Sequence, residues 1–291
     1  MNDIELGNLI LRAEALMKSN WLHGYHLLLQ AAQEHPDDPR GWLSLGDFYH
    51  GRSRHEEAIK AYQSALRLQP KDNQLQTVIG NCYFAMGDYR IAIIYYDQVI
   101  NPSPEVGYNK ALALAYQGKH RESIAIMKDL LDLIDNNPFI YFLLVEQLLR
   151  VSDYAAAQRY LKKAEARIGK HKHIMLLKAI TYAKQEIWLT AYHAFNEYMQ
   201  SGSLQLADHM LTFALCALNI GMPNRSIEIL ESAVLENPYK SQLYEELVRL
   251  LIAQNKRARA REVLKIANDK LSSMNPVLKL LQARLGTEYE D

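Results

Sequence analysis

Histidine and cysteine are the residues of this chain that could bind a metal ion, and their spacing argues against a site. His171 and His173 flank Lys172, and a His-x-His pair can bind metal, but no cysteine or carboxylate lies at ligand spacing beside them. We therefore interpret this pair as surface histidines, because the motif alone is weak. The sequence predicts no metal and no cofactor.

The chain also lacks a recognisable catalytic constellation. Its 10 histidines are scattered, so no Ser/His/Asp arrangement can be assigned from the sequence. It has no glycine-rich loop of the kind that binds phosphate. Since a fold class neither supplies nor forbids catalysis, this prediction depends on the residues themselves. We predict that the protein is not an enzyme.

The charges of the chain cancel, with 33 lysines and arginines against 33 aspartates and glutamates. The field of the whole molecule therefore attracts neither nucleic acid nor an anionic membrane. Two local basic clusters, Arg52 to His55 and Lys256 to Lys265, are interpreted as solvated surface. We predict no nucleic-acid partner and no insertion into a membrane.

The two cysteines, Cys82 and Cys216, lie far apart along the chain, so a disulfide between them is not expected. Two free and half-buried thiols suit a reducing compartment. The segment from Met1 to Leu6 does not read as a secretory signal, and no apolar stretch reaches membrane-spanning length. We expect a cytoplasmic protein.

Helical hairpins are the elements that must position any binding residue. The best-formed hairpin pattern contains, in order, Trp42, Leu45, Gly46, Tyr49, Ala58, Tyr62, Ala65 and Pro70. These residues fall on two amphipathic faces at helical spacing, and the proline marks an exit turn. The same pattern recurs along the chain with a period of about 34 residues.

Placing the pattern along the whole chain predicts one array over residues 1–291. The predicted repeats are 5–38, 39–72, 73–103, 104–137, 138–171, 172–206, 207–240 and 241–274, followed by a capping helix over 276–285. The third repeat is short and ends at Asn101 to Pro104, so this junction is a candidate hinge.

Two positions of the repeat give the strongest support for paired helices. The twentieth position is always small, as Gly24, Ala58, Ala92, Ser123, Ala157, Ala191, Ser226 and Ala260. The twenty-fourth is always large and apolar, as Leu28, Tyr62, Tyr96, Met127, Leu161, Phe195, Leu230 and Leu264. Small residues let two helix backbones approach closely, and the large residues fill the space that remains.

This pattern resembles the tetratricopeptide repeat (TPR) family, over about residues 5 to 274, with Trp42 to Pro70 as its best copy. The resemblance implies an all-α fold, a right-handed α-solenoid of about eight helix-turn-helix repeats plus a C-terminal capping helix. It implies that the first helix of each repeat lines a concave groove and that the second helices form the convex back. It implies no particular reaction.

The resemblance also indicates which residues would face a partner in the groove. Carried over position by position, they are Asp47, Asn81, Tyr108, Asn109, Leu112, Phe139, Phe142, Glu146, Leu176, Ile180 and Leu211. The middle of this groove is aromatic and aliphatic. An apolar patch of that size is unusual on a monomer, so we expect a binding partner to cover it. The alternative is that tight winding buries these side chains between adjacent first helices.

One subclass of the family binds acidic carboxyl-terminal tails through two asparagines and several cations. Asn81 and Asn109 match the two asparagines. Thr77, Phe139 and Leu143 stand where the resemblance calls for cations. Because a carboxylate buried without cations would be left unpaired, this interpretation is disfavoured.

The leading hypothesis is a scaffold for protein–protein interaction that binds a peptide or helix of a partner protein in its groove. A narrower form is a chaperone or assembly factor for a component of a secretion system or surface organelle. The alternative is a self-associating structural protein, a possible homodimer that pairs through the groove or through an exposed first repeat at Leu6, Leu9 and Ile10.

Overall fold

The protein is an array of α-helices in the computed structural model, which describes residues 3–201, 204 and 206–287. All regular structure within those residues is helical, so the all-α fold class predicted from the sequence is confirmed. The 17 described helices are α1 Asp3–Leu16, α2 Trp21–Glu34, α3 Pro39–His50, α4 His55–Leu68, α5 Asn73–Ala85, α6 Tyr89–Asp97, α7 Pro104–Tyr116, α8 His120–Leu133, α9 Pro138–Arg150, α10 Tyr154–Ile168, α11 Lys172–Lys184, α12 Trp188–Gln200, α13 Ala207–Asn219, α14 Pro223–Glu236, α15 Ser241–Ala253, α16 Arg257–Lys270 and α17 Pro276–Thr287.

The chain divides into two compact units, residues 1–151 and 152–291. In the first unit, α1 to α8 form four hairpins, each packed on the next, and α9 packs on α8. In the second unit, α11 to α16 form three hairpins, α10 packs on α11, and α17 packs on α15 and α16. Each hairpin thus contacts mainly its neighbours, as in a solenoid. That residues 1–291 form a single domain stays a prediction.

Local signals in the sequence explain where the helices begin and turn. The Asp38 side chain accepts a hydrogen bond of 2.9 Å from the backbone N–H of Arg40, and Asp72 accepts one of 2.7 Å from that of Gln74, so each aspartate caps the helix that follows it. In the turns inside hairpins, Gly87 and Gly118 have φ of 84° and 75°, a backbone conformation that favours glycine.

The small and large positions behave as the sequence predicts. All eight small residues and all eight large ones are buried. A Cβ added to Gly24 would lie 2.7 Å from the backbone oxygen of Ala13, which shows how closely α1 and α2 approach. The hairpins are therefore held together by close backbone contact beside a large apolar side chain.

Gly46 makes the same kind of contact with the Tyr62 ring. A Cβ on Gly46 would lie 2.4 Å from two ring carbons of Tyr62, and Tyr62 is fully buried. We expect Gly46→Ala to lower the free energy of unfolding by about 1–2 kcal/mol, because overpacking outweighs the better helix propensity of alanine. Urea denaturation followed by far-UV circular dichroism measures this change.

Gly7 provides the matched control, since it also lies in a helix but has no atom within 4 Å of an added Cβ. Gly7→Ala should raise the free energy of unfolding by about 0.5–1 kcal/mol through helix propensity alone. If both variants were stabilised equally, the contact between Gly46 and Tyr62 would not be tight.

The first repeat is better covered than the sequence suggests. Leu6 and Ile10 are buried in one hydrophobic cluster with Leu28 and Leu45, and Leu9 is half-buried against it. The expected exposure of Leu6 and Ile10 is therefore wrong. The reason is that α1 packs on both α2 and α3, which together cover its apolar face.

The junction at Asn101 to Pro104 is tied to the start of α5. The Asn73 side chain donates a hydrogen bond of 2.7 Å to the Ile100 carbonyl and accepts one of 2.9 Å from the Ile100 N–H. Asn101 follows with a φ of 52°. That this junction is a hinge stays a prediction. The two hydrogen bonds between Asn73 and Ile100 oppose movement at the junction.

Candidate functional site

Asp47 lies on α3, the first helix of its hairpin, and is partnered inside the same hairpin. The buried Tyr62 hydroxyl donates a hydrogen bond of 2.7 Å to Asp47 Oδ1. Burial, together with the Asp47 carboxylate, raises the pKa of Tyr62 far above its ordinary value. Asp47 itself is exposed, so it satisfies a buried hydroxyl while still facing solvent.

Asn81 has the same role one repeat later. Its Oδ1 accepts a hydrogen bond of 2.8 Å from the Tyr96 hydroxyl and another of 3.2 Å from Nδ2 of Asn109. The Thr77 hydroxyl donates to the Asn73 carbonyl on the same helix at 2.7 Å. The two asparagines that could have held a carboxylate therefore contact each other and a tyrosine, which adds to the argument against an acidic-tail site.

An aromatic surface lies on α7 and α9. We call Tyr108, Leu112, Phe139, Phe142 and Glu146 the Phe139 surface. Phe139 is 61% exposed, and its ring meets that of Phe142 edge to face at a centroid distance of 6.1 Å. Tyr108, Leu112 and Phe142 are half-buried. Burial raises the pKa of Tyr108, and the negative charge of Glu146 adds to the effect.

In the second unit, one of the three predicted groove residues is buried in the core and the other two are half-buried against it. Leu176 is only 7% exposed and belongs to the hydrophobic core. Ile180 and Leu211 are half-buried and pack against that core. Leu176 does not face a partner, because α11 packs directly on α13 and this position lies in the core. The burial alternative therefore holds for Leu176.

An open apolar cavity lies between α13, α14 and α15, and we call it the Leu215 cavity. Its volume is about 500 Å³. Leu215 and Leu218 are 46% and 40% exposed on α13. The lining residues are Leu211, Thr212, Ala214, Leu215, Leu218, Ser226, Leu230, Gln242, Glu246, Arg249, Leu250 and Ala253.

The predicted site residues include Leu211 and omit the rest of this lining. Leucines at the ninth and twelfth positions of one repeat, Leu215 and Leu218, are the sequence signal that could have revealed it. Arg249 and Glu246 add opposite charges whose nearest atoms are 3.5 Å apart. The cavity thus combines leucine side chains with a few charged and polar groups, a composition typical of binding sites.

Neither cysteine has the properties of a nucleophile. Cys82 and Cys216 are fully buried, so the expectation of half-buried thiols is wrong. Both cysteines occupy the tenth position of their repeats and face the core, and burial there raises the pKa of each thiol to about 11. Both thiols are therefore protonated at neutral pH.

The structure brings together one set of potential metal ligands that the sequence analysis missed. His50, His55 and Cys82 lie within reach of one another, although Cys82 is separated from both histidines in sequence. The pair singled out from the sequence has another role, since His171 Nδ1 accepts a hydrogen bond of 3.1 Å from the His173 N–H at the start of α11.

Stacked helical hairpins with an apolar first-helix face define a repeat protein of the α-solenoid class. The tetratricopeptide repeat family matches this chain over residues 26–73 and 74–105. The human tetratricopeptide repeat protein 21B is 40% identical over 63 residues, which are 22% of this chain and 5% of that protein. The chain thus spans a small part of the length of this curated relative.

Solved structures match over much more of the chain. A tetratricopeptide repeat protein from Parabacteroides merdae has a TM-score of 0.64 at 16% identity, over 85% of this chain and 98% of the other. A structure of the APC/C hetero-tetramer Cut9-Hcn1 has a TM-score of 0.58 at 13% identity, over 98% of this chain and 57% of the other. Residues 26–105 therefore match tetratricopeptide repeats, and the chain has the all-α solenoid fold of such proteins. In the described part of the chain, no helix has the length and apolar character needed to cross a membrane.

Proposed function

We propose that this protein is a non-catalytic scaffold that binds a peptide or helix of a partner protein on its first-helix faces. The Leu215 cavity is the observation that carries the proposal. Its volume of about 500 Å³ falls within the range of about 300–1,000 Å³ that ligand-binding pockets span. It is open to solvent and lined by side chains at the groove positions of two consecutive first helices, α13 and α15.

The lining indicates the kind of segment that fits. Leu211, Leu215 and Leu218 form an apolar floor along α13, and Gln242 and Glu246 lie on α15. An amphipathic helix or extended peptide would place one large apolar side chain among the leucines. Polar atoms of the peptide would then pair with the charged and amide groups of α15 and set its register.

The Phe139 surface offers an aromatic contact in the first unit. Aromatic side chains, phenylalanine included, are enriched in the cores of protein–protein interfaces. The Cut9-Hcn1 structure is a hetero-tetramer, so a chain of similar fold takes part in an assembly with a different protein. A role as a chaperone or assembly factor would be one use of such a scaffold.

A peptide selection with a matched pair of variants tests the proposal. A phage-displayed peptide library is panned against the full-length protein, and the dissociation constant of the best peptide is measured by fluorescence anisotropy. Leu215→Asp should raise this constant by about 30-fold or more, because it places a charge against the apolar peptide side chain. Leu235→Asp is the control, since Leu235 is 82% exposed and lies on α14 outside the cavity lining.

Two results would contradict the proposal: no peptide is selected, or both variants bind the selected peptide as the wild-type protein does. A third outcome is that the protein binds a second copy of itself, and light scattering over a dilution series detects this self-association. If the wild-type protein is a dimer and Leu215→Asp makes it monomeric, the occupant of the cavity is a second copy of this chain.

A further inference from the structure

We propose that His50, His55 and Cys82 form a binding site for a divalent transition-metal ion of the zinc type. His50 is the last residue of α3, His55 is the first residue of α4, and Cys82 lies in α5 of the next hairpin. One ligand atom from each side chain lies within 4.8 Å of the other two. His50 Nδ1 and Cys82 Sγ are already 3.3 Å apart.

These distances suit a metal ion with nitrogen and sulfur ligands. With Zn–N near 2.0–2.1 Å and Zn–S near 2.3 Å, tetrahedral coordination separates its ligand atoms by about 3.3–3.6 Å. His50 Nδ1 and Cys82 Sγ, in hydrogen-bond contact at 3.3 Å, are close to the separation of about 3.6 Å expected for a nitrogen–sulfur pair. The two imidazole rings meet edge to face with centroids 5.6 Å apart. The three ligand atoms lie within 4.8 Å of one another, so they would have to move closer together to bind one ion.

His55 supplies an independent observation that points to a ligand. Its Nδ1 is buried and has no hydrogen-bond partner in the described part of the chain. A buried nitrogen without a partner is unfavourable, and most such atoms in proteins find one. A metal ion would accept the lone pair of this nitrogen when the tautomer presents it. Imidazole and thiolate are the ligand types that zinc prefers.

The nearby basic side chains are engaged with other groups. Arg54 forms an ion pair of 2.5 Å with Glu57, and its guanidinium lies over the Tyr49 ring. Arg52 lies 4.1 Å from the centroid of the Phe48 ring. Glu57 offsets the charge of Arg54, which reduces the electrostatic repulsion that a divalent cation would meet beside this turn.

Binding requires one proton to leave and no oxidant. The Cys82 thiol gives its proton to solvent as the S–Zn bond forms, and the two neutral imidazoles donate nitrogen lone pairs. Three protein ligands leave one coordination position for water or for a side chain of a bound partner. The ion would link the turn between α3 and α4 to α5, and so join two consecutive hairpins.

Titration of the full-length, metal-free protein with Co²⁺ tests this site. Cobalt replaces zinc in such sites and reports a bound thiolate through an absorption band in the near ultraviolet. We expect the band to saturate at one Co²⁺ per chain and to disappear when Zn²⁺ is added. His55→Gln and Cys82→Ala should each weaken binding by more than about 100-fold, the upper end of the effect of removing an outer-sphere partner.

Cys216→Ala is the matched control, because Cys216 is also fully buried and occupies the same position in its own repeat. It should leave the band unchanged. Far-UV circular dichroism checks that each variant is folded. If Cys82→Ala does not fold, the His55→Gln variant alone tests the metal site. The proposal is overturned if the wild-type protein gives no thiolate band, if the band survives His55→Gln, or if Cys216→Ala abolishes it.

Discussion

Replacing Tyr62 with alanine is expected to lower the free energy of unfolding by about 3–5 kcal/mol, the range for deleting a large buried aromatic side chain. Tyr62 is fully buried and belongs to a cluster with Leu75 and Ile79 of the next hairpin. Its ring also fills the space that Gly46 leaves open on α3. The loss would therefore weaken the hairpin and its contact with the next one.

Urea denaturation measures the total change, and hydrogen exchange locates it. Amide protons of α3, α4 and α5 should exchange faster in Tyr62→Ala than in the wild-type protein, since each hairpin depends mainly on its neighbours. Tyr62→Phe is the control, because it keeps the ring and removes only the hydrogen bond to Asp47. The exposed carboxylate can bind water instead, so this variant should lose about 1 kcal/mol. Equal losses in the two variants would contradict the packing role of the ring.

Replacing Leu278 with alanine is expected to lower the free energy of unfolding by about 2–5 kcal/mol. Leu278 is fully buried on α17 and belongs to the hydrophobic core that also contains Leu247 and Leu251 of α15. The Asn275 side chain caps the same helix by accepting a hydrogen bond of 2.9 Å from the Leu278 N–H. The deletion would leave a cavity at the end of the second unit.

Leu280 is the matched control for Leu278, because it lies on the same helix and is 69% exposed. Leu280→Ala should change the free energy of unfolding by no more than about 0.5 kcal/mol. The midpoint of thermal unfolding and the exchange rates of α15 and α16 measure both variants. A loss in Leu278→Ala as small as that in Leu280→Ala would mean that α17 does not cap the unit.

The fold was predictable because its signals are local and repeated. The small residue at Ala58 and the large one at Tyr62 are four residues apart on one helix, and the same pair recurs in every hairpin. Each recurrence constrains the same contact between paired helices, so the signal accumulates along the chain. The signals that start the helices are equally local. The side chains of Asp38 and Asp72 each accept a hydrogen bond from the backbone of the helix that follows.

The candidate sites were harder to predict because they depend on contacts between hairpins. Phe139 and Leu176 have similar apolar character and both occupy groove positions, yet one is exposed and the other is buried. The difference depends on which neighbouring helix covers each position. Contacts inside a hairpin were missed as well, since Asp47 and Asn81 were identified as groove residues and their hydrogen bonds to Tyr62 and Tyr96 became visible only in the structure.

The sequence by itself determined the helical content, the hairpin pairing and the buried positions within each hairpin, because residues less than one repeat apart specify those features through periodicity and size. Only the tertiary structure decided which groove positions stay open, that Leu215 and Leu218 border a cavity, and that Cys82 meets His50 and His55. These arrangements join side chains from neighbouring hairpins. The physical reason is that the packing of one hairpin on the next sets the distance between such side chains, and no period along the chain records it.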